Sequence, residues 1–207
     1  VTPKEPLVRF AEYAGSSARR QHCAGLHVHV GVVSPEECMG RLEAVLPWLP
    51  VLLALSANSP YTAGAETGLA STRAELLALL PRSGAPPAFD GYEAWSRFAE
   101  SLVRLGLADD PMRLWWAVRP HPRLGTLEIR VPDQPTAFAA LAQAFVAAAD
   151  PGAPAADRGL YAQNRWAAAR FGAAAGLIHP EEDRLASPAE LLAELLERVK
   201  PTARSLG

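Results

Sequence analysis

Gly125-Thr126-Leu127-Glu128-Ile129-Arg130-Val131 alternates between apolar and polar residues without a fault. Period two belongs to a β-strand with one buried face. Leu127, Ile129 and Val131 share one side; Thr126, Glu128 and Arg130 share the other. Leu26-His27-Val28-His29-Val30 reads the same way, with aliphatic residues on one face and two imidazoles on the other. Leu114 to Val118 is a third strand candidate.

Around these strands the chain reads as about seven helices. One spans 5–20. Another starts at Ser34-Pro35-Glu36-Glu37, with Ser34 as N-cap, Pro35 at the first position and Glu37 closing a capping box, and runs to about Leu46. Further helices are expected over Leu49–Ala57, Thr72–Leu80, Asp90–Leu105, Pro135–Ala149 and Asp157–Ala175, and Ser187-Pro188-Ala189-Glu190 opens the last. In the Asp90–Leu105 segment Tyr92, Trp95, Phe98 and Leu102 form one face. Loops rich in small residues and proline fill 58–70 and 81–90, and a Pro/Gly linker covers 150–154. The fold class expected is α+β.

The chain has 207 residues, 49% hydrophobic and 20% charged, which is ordinary globular composition. A chain of this length buries roughly 70% of its unfolded surface and needs no disulfide or metal staple. Its net charge of −2 argues against a nucleic-acid partner, which calls for a basic excess. Val45 to Leu55, the longest apolar stretch, is interrupted by Pro47 and Pro50 and is shorter than a membrane span, so no membrane partner is expected. Cys23 and Cys38 form neither a CxxC pair nor a disulfide framework, which points to a cytoplasmic location. Eighteen arginines against two lysines suggest a GC-rich bacterial genome.

Two groups of residues carry chemistry. His27 and His29 point the same way from one strand, about 7 Å apart. Such a pair can bind a metal, contact a phosphate or act as acid and base, or it can sit on a solvated sheet face. Glu128 and Arg130, continued by Asp133, suit a hard cation and a phosphate respectively; by themselves they also suit a surface ion pair. Arg119, His121 and Arg123 precede them within nine residues, and Arg73 follows a Ser/Thr/Gly loop. This concentration of cations in a net-acidic chain suggests an anionic ligand such as a nucleotide. No GxxxxGK[ST], GxGxxG after a strand, GxSxG or HExxH occurs.

Several segments together resemble the carboxylate–amine ligase family, the short bacterial type of glutamate–cysteine ligase: Gly25-Leu26-His27-Val28-His29-Val30-Gly31, Leu49 to Pro60, Thr67-Gly68-Leu69-Ala70-Ser71-Thr72-Arg73, Trp116 to Asp133, and Asn164-Arg165-Trp166 with Arg170-Phe171-Gly172. The resemblance implies a glutamine-synthetase-like fold, in which an antiparallel sheet forms a funnel with helices packed outside. It implies an ATP-dependent reaction with Mg²⁺ or Mn²⁺, in which a carboxylate is phosphorylated and the acyl phosphate is attacked by an amine. Glutathione-type biosynthesis would be its setting.

Carried onto this sequence, Glu128, Arg130, His27 and His29 are expected to be catalytic, and Arg130, Arg119 and His29 to bind nucleotide. Arg73 and Asn58 are expected to bind the amino-acid substrate, and Glu128 and His27 to hold the metal. The family's N-terminal strand of clustered glutamates has no match among these residues, so residues 1–207 are expected to be one portion of a catalytic domain, inactive alone. A homo-oligomer or a partner segment would supply the missing strand. The alternative is a catalytically silent nucleotide- or amino-acid-binding module of the same fold. A metal-dependent hydrolase built on His27 and His29 would need further ligands, and His22, His121 and His179 do not offer a set.

Overall fold

The alternating segment at 125–131 becomes the central strand of a three-stranded antiparallel sheet. The computed structural model describes residues 4–134 and 138–206. Its helices are α1 (Glu5–Ala14), α2 (Ser16–Arg19), α3 (Pro35–Val45), α4 (Leu49–Ser56), α5 (Thr72–Ala78), α6 (Gly91–Arg104), α7 (Phe138–Ala148), α8 (Arg158–Phe171) and α9 (Pro188–Leu206). Its strands are β1 (Val28–Gly31), β2 (Tyr61–Thr62), β3 (Ala65–Glu66), β4 (Ser83–Gly84), β5 (Trp115–Trp116), β6 (Val118–His121), β7 (Thr126–Ile129), β8 (Leu177–Ile178) and β9 (Leu185–Ala186). The class is α+β.

The main sheet has the order β1-β7-β6. Its register sets Val28 and Val118 on either side of Ile129, and Val30 and Pro120 on either side of Leu127. These side chains are buried and join α3 and α7 in the main core. The alternate row is polar. Three strands do not by themselves enclose a funnel. The remaining sheets are two-stranded: β2-β3 and β8-β9 are antiparallel and β4-β5 is parallel.

Local chemistry explains most boundaries. Ser34 Oγ accepts from Glu37 N, as expected, but Glu37 reaches past the cap to Val33 N at 2.8 Å. The helix expected over 5–20 is two helices, because Gly15 adopts φ 57° between them. Asp157 caps α8 through Gly159 N and Leu160 N, and Gly172, at φ 55°, ends it. The start expected for α7 at Pro135 lies outside the described residues. Two-residue strands carry no period, so β2, β3, β4, β8 and β9 left no signal in the sequence.

α3, the turn Leu46–Trp48 and α4 join into one 22-residue helical run, Pro35–Ser56, long and apolar enough to cross a membrane by length and composition alone. Its most apolar window is 72% buried in the fold. In α4, Leu49, Val51, Leu52 and Leu53 are buried, and α4 packs against α8 and α9. An apolar helix buried on every side needs no lipid to account for it.

Candidate active site on the polar face of the sheet

Register builds the site. Glu128 stands directly opposite His29 on β1 and Arg119 on β6, so three ionisable side chains line up across the sheet. Arg130 and His27 extend the same face by one pleat. Glu128 is 2% exposed. Arg119 Nε donates to its Oε2 at 2.6 Å, and Arg130 Nη1 donates to its Oε1 at 2.6 Å. His27 Nδ1 lies 3.2 Å from the same Oε1 and 3.2 Å from Arg130 Nη1. That nitrogen accepts from Arg130 when bare and donates to Glu128 when it carries the proton. His29 Nε2 is 3.7 Å from Oε1, while its Nδ1 is 2.9 Å from Thr126 Oγ1. His121 meets His29 edge-on, with ring centroids 5.1 Å apart.

Burial alone would raise the pKa of Glu128. Hydrogen bonding from His27 and the charges of Arg130 and Arg119 more than offset it and hold the carboxyl well below its ordinary range. His29 is lowered, chiefly by burial; the Glu128 charge opposes this and the neighbouring His121, His27 and Arg119 add to it. Arg119 is largely committed within the fold, since its Nη1 also donates to Met112 O at 2.6 Å and Leu114 O at 2.5 Å. Two guanidiniums against one carboxylate leave an excess positive charge, which suits an anion.

The same donor set does not fit a divalent cation. Magnesium and manganese want several oxygens, and both oxygens of Glu128 already face guanidiniums at contact distance. Among the described residues no group of three or more His, Cys, Asp or Glu side chains is arranged to hold a metal ion. No step through a cation therefore follows from these residues.

The structure brings His27, His29, Glu128, Arg130 and Arg119 together. It gathers Arg73 and Asn58 around another carboxylate, Asp133. Asp133 Oδ2 accepts from Asn58 N at 2.7 Å and Ser59 Oγ at 2.8 Å; Oδ1 accepts from Ser71 Oγ at 3.0 Å. Arg73 is 3% exposed, not a surface arginine at a loop rim. Its Nη1 donates to Val131 O at 3.0 Å and its Nη2 to Arg130 O at 2.9 Å, with Asp133 Oδ1 at 3.7 Å. Arg73 thus clamps the outgoing end of the strand that carries Glu128 and Arg130. Gly25 permits this, because a Cβ there would stand 2.2 Å from Arg73 Nη2. Asp133 is committed to the loop at 58–73 and has no oxygen to spare as a second cation ligand.

Arg73 also walls two clefts. One is shared with Asn58, Arg19, Arg20 and His22; the other with Arg130, Trp116 and Tyr161. Cys23 is exposed and Cys38 is buried, the latter's thiol pushed up to about 12 by burial. Thr126, which fixes the His29 ring, and Tyr161 were not singled out in the sequence. Thr126 was legible as the residue two before Glu128 on one face; Tyr161 sits on a helix with no local sign of function.

The family model described as glutamate–cysteine ligase family 2 matches residues 2–207. The chain belongs to that family. A protein of Rubrobacter xylanophilus named "Putative glutamate–cysteine ligase 2-3" is 42% identical over 213 residues, covering 100% of this chain and 58% of that protein. A second from the same organism, "Putative glutamate–cysteine ligase 2-1", is 40% identical with the same coverage. A Haloferax volcanii protein named "Glutamate–cysteine ligase" is 39% identical over 180 residues, covering 81% of this chain and 50% of its own length. The chain thus spans 50–58% of the length of these glutamate–cysteine ligase family relatives.

Proposed function

We propose that this chain forms part of an ATP-dependent carboxylate–amine ligase of glutamate–cysteine type, working through an acyl phosphate. The observation that supports this best is the buried row His29–Glu128–Arg119 with Arg130 beside it, one face of a sheet committed to charge in a net-acidic chain. Such a ligase needs no protein nucleophile. Its work is holding an anion, positioning two reactants and neutralising charge. In this reading Arg130 grips nucleotide phosphate, Glu128 sets the orientation of Arg130, and the imidazoles of His27 and His29 border the reacting groups. The cleft walled by Arg73 and Asn58 takes the amino-acid substrate. Any divalent cation would draw its carboxylates from the part of the relatives' length that has no counterpart here, in the same chain or from a partner copy. The sheet is then one wall of a larger glutamine-synthetase-like funnel.

One observation favours the alternative of a silent nucleotide- or amino-acid-binding module: Glu128 is already neutralised from both sides. Turnover separates the two readings. Expressed in its full reading frame with Mg²⁺ and ATP, the protein is expected to release ADP only when both a glutamate-like carboxylate and a cysteine-like amine are present. Arg130→Lys, which cannot make the bidentate fork, is expected to raise the ATP half-saturation about tenfold or more. ADP release that ignores the amine, or none with any amino acid, would overturn the ligase reading.

A further inference from the structure

Away from the charged row, α1 and β5 meet the loop after α6 around a cleft of a different kind. Phe10 of α1 and Trp115 of β5 stack with ring centroids 4.8 Å apart, and Leu107 lines the same cleft. Three guanidiniums also line it, those of Arg9, Arg82 and Arg113, against one carboxylate, that of Asp109. The excess is two positive charges. Asp109 is already taken: Arg113 Nε donates to its Oδ1 at 2.7 Å and Arg113 Nη2 to its Oδ2 at 3.2 Å. Glu5 comes only within 3.7 Å of Arg9, and both side chains are largely exposed, so that pair is worth little. The cleft holds about 170 Å³, the order of volume that admits a molecule of benzene's bulk. It shares no lining residue with the cleft walled by Arg73 and Asn58.

Arginines stacked on aromatic rings are ordinary packing. Two observations go beyond it. The cations are fixed before any ligand arrives: Arg82 Cζ lies 5.8 Å from the Tyr13 ring centroid and 5.7 Å from that of Trp115, and Arg82 Nε donates to Arg113 O at 3.0 Å. Arg119 Nη1 holds the carbonyls on both sides of Arg113, those of Met112 and Leu114. Like charges gathered and held in this way repel one another, and an anion relieves the repulsion. Arg82 also keeps φ 57°, a left-handed backbone that costs a non-glycine residue about 1–2 kcal/mol and persists where the surroundings impose it, as they do around ligands. We propose that this cleft binds a small dicarboxylate that carries no amino group, with its carbon chain against Phe10 and Leu107 and its carboxylates on the arginines. A carboxylate matches the fork of a guanidinium. An ammonium group would meet the positive excess with Asp109 as its one counter-charge, already spent on Arg113. The lining described holds no His, Cys, Ser, Thr or Lys, so the ligand is held and not transformed. The site stands independently of the ligase reading.

The test is titration calorimetry at low ionic strength on the protein in its full reading frame. Succinate is the probe, with butyrate as the monocarboxylate of like length and sulfate as a compact dianion. Succinate is expected to bind at least about tenfold more tightly than either. Arg9→Gln and Arg82→Gly are each expected to weaken succinate about threefold or more. Arg82→Gly should keep its thermal midpoint within about 3 °C, since glycine takes this backbone freely. Asp109→Asn releases the Arg113 fork and removes the opposing charge, so it is expected to tighten succinate about threefold, a gain that misfolding cannot produce. Failure of the wild type to bind succinate, or equal affinity for succinate and butyrate, would overturn the site. Sulfate binding as tightly as succinate would reduce it to a general anion patch and overturn the dicarboxylate. Succinate affinity untouched by all three variants would move the binding elsewhere, the cleft of Arg73 included, and overturn it too. Weaker binding in Asp109→Asn would do the same, because that carboxylate would then support the ligand instead of opposing it.

Discussion

Replacing Glu128 by glutamine keeps the shape of the side chain and removes its charge. The structure sets the size of the effect. Glu128 is 2% exposed, and the side chains of Arg119 and Arg130 are 10% and 12% exposed, so both guanidiniums lose a close counter-ion in a poorly solvated place. The glutamine amide also turns a donor toward one of them. Breaking one side of a buried pair typically costs about 3–5 kcal/mol. The expected loss is about 3 kcal/mol at pH 7, the lower end, since His27 leaves the outer edge of the cluster open to water. The sign with pH follows from the depressed carboxyl. The stabilisation it provides is complete above its ordinary value of 4.5 and fades as pH falls below that toward the folded-state value. Urea melts of both proteins between pH 8 and pH 3 should therefore show the full difference above about pH 4.5 and converge below it. His29, also depressed, weakens both proteins as pH falls below 6.5, and the variant more because it lacks the opposing Glu128 charge; it therefore widens the gap and does not produce the convergence. A difference under about 1 kcal/mol at pH 7, or one that persists undiminished to pH 3, would refute the view that Glu128 is an ionised carboxylate held between two arginines.

Two other substitutions test the frame around the site. Asp133→Asn removes the counter-charge of buried Arg73 and sets an amide donor against Asn58 N–H or the serine hydroxyls; urea melts should show a loss of about 3–5 kcal/mol, against less than about 1 kcal/mol for Asp109→Asn in the more exposed pair with Arg113. Gly40→Ala puts a methyl 1.5 Å from the Pro151 carbonyl oxygen, so α3 and the loop at 150–154 must part; a thermal midpoint lowered by several degrees is expected, and an unchanged one would show that the two do not touch in solution.

The polar face of β7 was legible because alternation is a local property: Leu127 and Ile129 fixed the buried side, and Glu128 and Arg130 had to share the other. The same logic placed His27 and His29, and the Ser34 cap followed from three adjacent residues. What the sequence could not reveal was made by partners far along the chain. Arg73 read as a substrate-binding arginine, and its bonds to the carbonyls of Arg130 and Val131 stayed hidden because backbone groups leave no mark in residue type. Asp133 read as a continuation of the Glu128 and Arg130 face, since nothing near it announces that Asn58, Ser59 and Ser71 converge on it. The order β1-β7-β6, which puts His29 and Arg119 on either side of Glu128, is likewise a fact of pairing and not of pattern.

The carboxylate of Asp133 has a consequence for how this protein can change over generations. Asn58, Ser59, Ser71 and Arg73 lie 60 to 75 positions before it, yet each takes part of its worth from the one acidic group. Their effects therefore cannot add. While Asp133 is present, loss of either serine hydroxyl is felt. Once Asp133 is gone, that part of the serines' worth goes with it, leaving Ser71 its cap on α5 and Ser59 its bond from Arg73 N, and an arginine at 73 turns from an asset into a burden. Lineages that abandon the acid should shed the arginine soon after, whereas Ser71 is held by its second duty as the cap of α5.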